Sequence, residues 1–132
     1  MIVYTTTGNY GLLWVVLGIP AGRPLRVAAT VWGTLAANYA VKLVVRRRRP
    51  VADGGAMIRL PSSSSFPSSH AAMSAAAAIA LSQARPSLTA LWLAMAAAMA
   101  ASRLYVGAHH RSDVLAGVAL GLVTGLVAGR VL

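Results

Sequence analysis

The chain has no cysteine, which excludes disulfides and thiolate chemistry. It has only two acidic residues, Asp53 and Asp113, and charged residues make up 11% of it. A soluble domain carries about 25%, so the water-facing surface of such a domain is missing. Long polar stretches are missing too. Apart from one loop over residues 50–69, no linker, soluble module or convincing internal repeat is visible. The N-terminus lacks the basic start of a signal peptide and reads as part of the mature protein.

What is present is apolar and basic. Hydrophobic residues make up 58% of the 132 positions, and Lys and Arg bring the net charge to +10. Length sets the expectation of one membrane-embedded domain over residues 1–132. Five apolar segments follow one another: Tyr10 to Ile19, Leu25 to Val45, His70 to Ala84, Ser87 to Tyr105 and Val114 to Leu132. At about 1.5 Å per residue the first falls short of a ~30 Å hydrocarbon core. The "TTTGN" stretch before it is a poor helix former, so a half-helix or a truncated span is expected there. The third is slightly short and needs burial in a bundle. The expected fold is an all-α, polytopic transmembrane bundle of five or six helices. Gly117, Gly121, Gly125 and Gly129 line one face of the last helix. That spacing suits close packing within the chain or a homo-oligomer contact.

The polar residues are unevenly distributed. Arg23, Arg26, Arg85 and Arg130 fall on one side of an up-and-down bundle. Lys42, Arg46 to Arg49, Arg59, Arg103, Arg111, both acids and all three histidines fall on the other. An active site at that membrane face is the main expectation. The site side is the more basic, but assigning Lys42, Arg49 and Arg103 to a substrate nearly removes the bias.

Three stretches on that side carry chemistry. In "KLVVRRRRP", Lys42 and Arg49 are two helical turns apart and suit a phosphate; the alternative is interfacial anchoring, assigned here to Arg46, Arg47 and Arg48. In "SSSSFPSSHAAMS", Ser68 or Ser69 sits near a helix N-cap whose free amides attract oxyanions, and His70 can protonate a leaving oxygen. An ordinary serine cap beside a histidine is the alternative. In "SRLYVGAHHRSD", His109 and Asp113 are four apart, so on a helix they share a face. A carboxylate on one imidazole nitrogen would leave the other free to attack, and Arg103 adds a forked phosphate donor. The alternative is an interfacial histidine with a surface ion pair. His109 with His110 as a metal pair is disfavoured: ligands are too few, and adjacent histidines point apart.

Together these segments resemble the signature of the type 2 phosphatidic acid phosphatase family. That family reads Lys, six residues, Arg-Pro; then Pro-Ser-Gly-His; then Ser-Arg, five residues, His, three residues, Asp. This chain has Lys42 and Arg49-Pro50, then Pro67-Ser68-Ser69-His70, then Ser102-Arg103, His109 and Asp113 at the same spacings. Ser69 stands where the family has glycine. Membrane members typically have six spans, so a first helix is expected to be missing or reduced here.

The resemblance implies hydrolysis of a lipid phosphate monoester or diphosphate through a phosphohistidine, with no metal and no cofactor. His109 would be the nucleophile, Asp113 its orienting partner and His70 the acid. Lys42, Arg49 and Arg103 would hold the phosphoryl oxygens, with Ser68 and the backbone at Ser69 and His70. Size and Ala/Arg-rich composition resemble small actinobacterial members, some acting on decaprenyl-phosphoryl-5-phosphoribose. Undecaprenyl diphosphate, phosphatidic acid and phosphatidylglycerophosphate are the other candidates. Partners are then membrane lipids and not nucleic acid, in a multi-pass protein of the cell membrane. The rival class is a non-catalytic protein that binds anionic lipids.

Overall fold

The computed structural model describes residues 2–50 and 62–132. Asp53 and Arg59 lie outside the described residues. Regular structure within them is helical: α1 (Ile2–Thr7), a 3-10 turn (Asn9–Gly11), α2 (Leu12–Gly18), α3 (Pro24–Val45), α4 (Ser69–Ala84), a second 3-10 turn (Pro86–Leu88), α5 (Thr89–Tyr105) and α6 (Arg111–Val131). Three stretches are long and apolar enough to cross a membrane: Pro24–Val45, Pro86–Tyr105 and Arg111–Val131.

α4 is the helix the others surround. Every residue from Ala71 to Ala78 is buried, as expected of a helix that is apolar all round. Its 16 residues reach about 24 Å, and α3, α5 and α6 pack along it. Ser68 caps its start, with Oγ accepting from the Ala71 amide at 3.4 Å.

The glycine face of α6 lies against α4. A Cβ at Gly117 would come within 2.5 Å of the Ser68 carbonyl oxygen, one at Gly121 would run into the Ala72 carbonyl, and one at Gly125 would meet Ala76 and Ile79. The stripe is thus filled within the chain. Of the two expectations for it, this is the close packing within the chain.

The N-terminus departs from expectation. The threonines are helical: Thr6 and Thr7 donate to the Val3 and Tyr4 carbonyls at 2.8 and 2.7 Å, local bonds that satisfy hydroxyls on an apolar helix. The break comes later, where Tyr10 (φ 54°) and Gly11 (φ 72°) turn left-handed. α1 and α2 form one broken segment, neither half of which spans. α1 packs on α5 and α2 on α3.

On the face away from the histidines, basic side chains bind the helix ends. Arg26 donates to the Gly129 carbonyl and to Gln83 Oε1, each at 3.0 Å, and Arg85 donates to the Pro20 carbonyl at 3.1 Å. Carbonyls at helix C-termini lack intrahelical donors, and arginine supplies them.

Gly121→Val should lower stability by about 1–3 kcal/mol, the usual cost of overpacking. Gly33→Ala, with nothing within 4 Å of the added carbon, should leave it unchanged or slightly raised. Thermal unfolding in detergent micelles measures both.

Candidate active site

Backbone hydrogen bonds draw the three polar stretches together. α3 ends at Arg46, a left-handed cap whose amide bonds to the Lys42 carbonyl at 3.1 Å. The chain then runs beside the serine loop: the Ser65 amide donates to the Arg47 carbonyl at 2.9 Å, and Ser65 Oγ to the Arg48 carbonyl at 3.1 Å. The Ser68 amide donates to the Asp113 carbonyl at 2.9 Å, joining the starts of α4 and α6. α5 ends in a Schellman turn at Gly107 (φ 73°), with Ala108 bonded to the Arg103 carbonyl and Gly107 to the Leu104 carbonyl. That turn delivers His109 to the junction.

The result is a cavity of about 340 Å³. Arg49, Ser69, His70, Arg103 and His109 line it, together with the larger apolar and aromatic side chains Tyr10, Leu35, Tyr39 and Met73. The gathering of Arg49, Arg103 and both histidines agrees with the sequence expectation.

His109 differs in how it is held. It does not lie on α6 but precedes the N-cap, His110, so the shared helix face does not exist. Its Nδ1 hydrogen-bonds the Ser65 carbonyl at 2.8 Å. Asp113 Oδ2 is 3.7 Å from that nitrogen, beyond hydrogen-bonding range. Asp113 instead accepts from the His110 amide at 2.8 Å, within a capping box, and from Arg47 at 2.9 Å. The orienting group for His109 is therefore a backbone carbonyl, with Asp113 one shell behind. A carbonyl on Nδ1 puts the proton there and leaves a lone pair on Nε2, which faces Arg49 Nη1 at 3.3 Å.

Three other assignments shift. Ser68 is fully buried as a helix cap and does not line the cavity. Ser69 does line it, with Oγ donating to Asn38 Oδ1 at 2.8 Å. Lys42 is buried and donates to the Ser64 carbonyl at 2.6 Å. It lines an adjoining cavity of about 560 Å³ with Arg46 to Arg49 rather than the one holding the histidines. Arg47 has a partner the sequence did not suggest, since it pairs with buried Asp113 at 2.9 Å and with Ser112 Oγ at 2.6 Å.

Two residues of the N-terminal segment went unforeseen. Arg103 Nη1 donates to Thr5 Oγ1 at 2.6 Å, and His70 Nε2 pairs with Asn9 Oδ1 at 2.9 Å. The only signal was compositional: Asn9 is one of two asparagines in the chain. Arg103 is 1% exposed, and Thr5 is its hydrogen-bond partner among the described residues, which leaves further guanidinium donors.

A family model described as the PAP2 superfamily matches residues 23–132. The chain belongs to that superfamily. Curated PAP2-like relatives include a decaprenylphosphoryl-5-phosphoribose phosphatase of Mycobacterium tuberculosis, 39% identical over 69% of this chain and 51% of its own length. One of the same name from Mycolicibacterium smegmatis is 37% identical, over 83% and 65%. The chain thus spans about half the length of the first of these. Among solved structures it is similar to a transmembrane PAP2-type phosphatidylglycerolphosphate phosphatase of Bacillus subtilis, with a TM-score of 0.73 and 26% identity over 90% of this chain and 66% of that one. The PAP2 match and the three apolar spans make this an integral membrane protein.

Burial, then the guanidiniums of Arg49 and Arg103, push the His109 imidazole well below the ordinary histidine range, and the bond to Ser65 offsets only part of this. Below about pH 6.5 the unfolded chain binds a proton there that the folded chain refuses, so stability is lost as pH is lowered. His109→Gln should show a shallower loss than wild type between about pH 7 and about pH 5 by thermal unfolding. Arg47→Ala leaves the buried Asp113 carboxylate short of a partner and should cost about 1–3 kcal/mol. Adding Asp113→Asn should cost less than the sum of the single changes, as a double-mutant cycle on unfolding will read.

Proposed function

We propose that residues 1–132 form one membrane-embedded domain that hydrolyses lipid phosphates in the cell membrane. The observation that carries this reading is His109. Its Nδ1 is tied to the Ser65 carbonyl, and its Nε2 lies beside Arg49 in a cavity shared with Arg103 and His70. A neutral imidazole with a fixed tautomer and adjacent fixed cations has the properties of a nucleophile toward phosphorus.

In the proposed reaction His109 Nε2 attacks the phosphorus, the P–O bond to the lipid alcohol breaks, and His70 gives the leaving oxygen a proton. Water then attacks the phosphohistidine, His70 takes its proton back, and inorganic phosphate leaves with His109 regenerated. Arg49, Arg103 and the first-turn amides at Ser69 and His70 hold the phosphoryl oxygens. These fixed charges neutralise the transferring group without a metal ion. Lys42 acts through the Ser64 carbonyl, which fixes the loop beside Arg49, and adds positive potential. Asp113 acts through the His110–Asp113 cap, which fixes the turn bearing His109.

The substrate supported best is a polyprenyl-linked phosphosugar of decaprenylphosphoryl-5-phosphoribose type, after the named relatives. Its 5-phosphate is a monoester of a primary alcohol, a poor leaving group that requires an acid such as His70. A phosphatidylglycerophosphate activity is the second reading, favoured by the structural neighbour. Undecaprenyl diphosphate and phosphatidic acid complete the panel.

Phosphate release in detergent with EDTA present should rank the phosphoribosyl lipid first, and His109→Ala should lower its turnover by about 10³-fold or more. Inhibition by EDTA would overturn the metal-free step. Lipid binding without release by the wild type would identify a non-catalytic lipid-binding protein.

A further inference from the structure

Residues 2–22 lie outside the stretch that matches the family model, yet they reach two groups of the cavity. Three features build this approach. A Cβ on Gly8 would sit 2.6 Å from Met99 Cε and 3.1 Å from His70 Cδ2, so the glycine backbone passes close to the imidazole and a side chain there would press on both. The left-handed pair Tyr10 and Gly11 turns the chain back at that point. Trp32 Nε1 donates to the Tyr10 carbonyl at 3.2 Å and pins the turn to α3. Between these anchors stands Asn9, whose Oδ1 lies 2.9 Å from His70 Nε2. Thr5 fixes Arg103 one turn earlier on the same segment.

We propose that Asn9 is a positioning residue for His70: its amide oxygen takes the Nε2 proton, fixes the ring, and keeps Nδ1 for the proton that reaches the leaving oxygen. The proposal rests on the reading of His70 as the acid. His70 shares its cavity with the guanidiniums of Arg49 and Arg103, with Lys42 behind, and Asp113 is the one carboxylate near them among the described residues. Cations disfavour an imidazolium. An asparagine oxygen offsets them by accepting a hydrogen bond that strengthens when the ring is charged, and it does so without a carboxylate that would repel the phosphate. A leucine at position 9 could not accept that bond, and an aspartate would add the carboxylate.

The full chain in detergent provides the test, with Asn9→Leu and Asn9→Asp against wild type. On an alkyl lipid phosphate, Asn9→Leu should lower kcat by about tenfold to a hundredfold, within the ~10²–10⁴ range of general acid catalysis, with a smaller change in KM. On p-nitrophenyl phosphate, whose leaving group needs no proton, the loss should be much smaller. An acid acts only while protonated, so activity falls as pH rises through its pKa. The basic limb of the kcat profile should therefore move to lower pH in Asn9→Leu and to higher pH in Asn9→Asp. Equal losses on both substrates, or coincident limbs in all three proteins, would overturn the proposal. Imidazole ¹⁵N resonances of His70 read the same point without turnover: a protonated Nε2 in wild type that is lost in Asn9→Leu supports it, and identical spectra sink it. If wild type releases phosphate from no substrate, the phosphatase reading fails, and the ¹⁵N comparison alone decides the role of Asn9.

Discussion

The close approach of α4 and α6 is the contact on which the site depends. Gly117, Gly121 and Gly125 let the α6 backbone rest on Ser68, Ala72 and Ala76, nearer than any side chain would allow. With the helices in that register, the Ser68 amide meets the Asp113 carbonyl. The first turn of α4 and the turn before α6 then stand side by side. Ser69 and His70 belong to one, His109 to the other. An alanine-rich α4, buried on every side, is what this geometry requires. Larger residues would separate the helices and with them the two histidines.

Charge is concentrated rather than dispersed. Arg49 and Arg103 line one cavity, and Lys42 with Arg49 lines the adjoining one, in a chain with few acids. Neutral oxygens accept from these cations: the carbonyls of Ser63 and Ala108 from Arg49, that of Ser64 from Lys42, and the hydroxyl of Thr5 from Arg103. The buried carboxylate, Asp113, is matched by Arg47 and kept behind the cavity.

The sequence and structure agree most closely where local chemistry decides. Pro24, the left-handed turn at Arg46 and the serine cap at Ser68 bound helices close to where the pattern of apolar residues put them. His110, which had no role in the motif, caps α6. Agreement fails where a contact joins distant segments. Four-residue spacing suggested that Asp113 touches His109, but that inference assumed a helix through both. The Schellman turn at Gly107 keeps His109 in a loop, and a carbonyl 44 residues away takes the nitrogen instead. A backbone carbonyl has no side-chain identity, so no motif could announce it. Arg47 looked like one of three equivalent arginines until the fold placed it on Asp113, 66 residues away.

The sequence alone determined the membrane setting, the helical class and the three polar stretches that form the candidate site, because hydropathy, periodicity and residue chemistry are local properties. Only the tertiary structure decided which atoms meet: Ser65 on His109, Thr5 on Arg103, Asn9 on His70, and the glycine face on α4. The physical reason is that these partners are dipoles and surfaces with no spacing rule. They come together only when helices far apart in sequence close into one bundle.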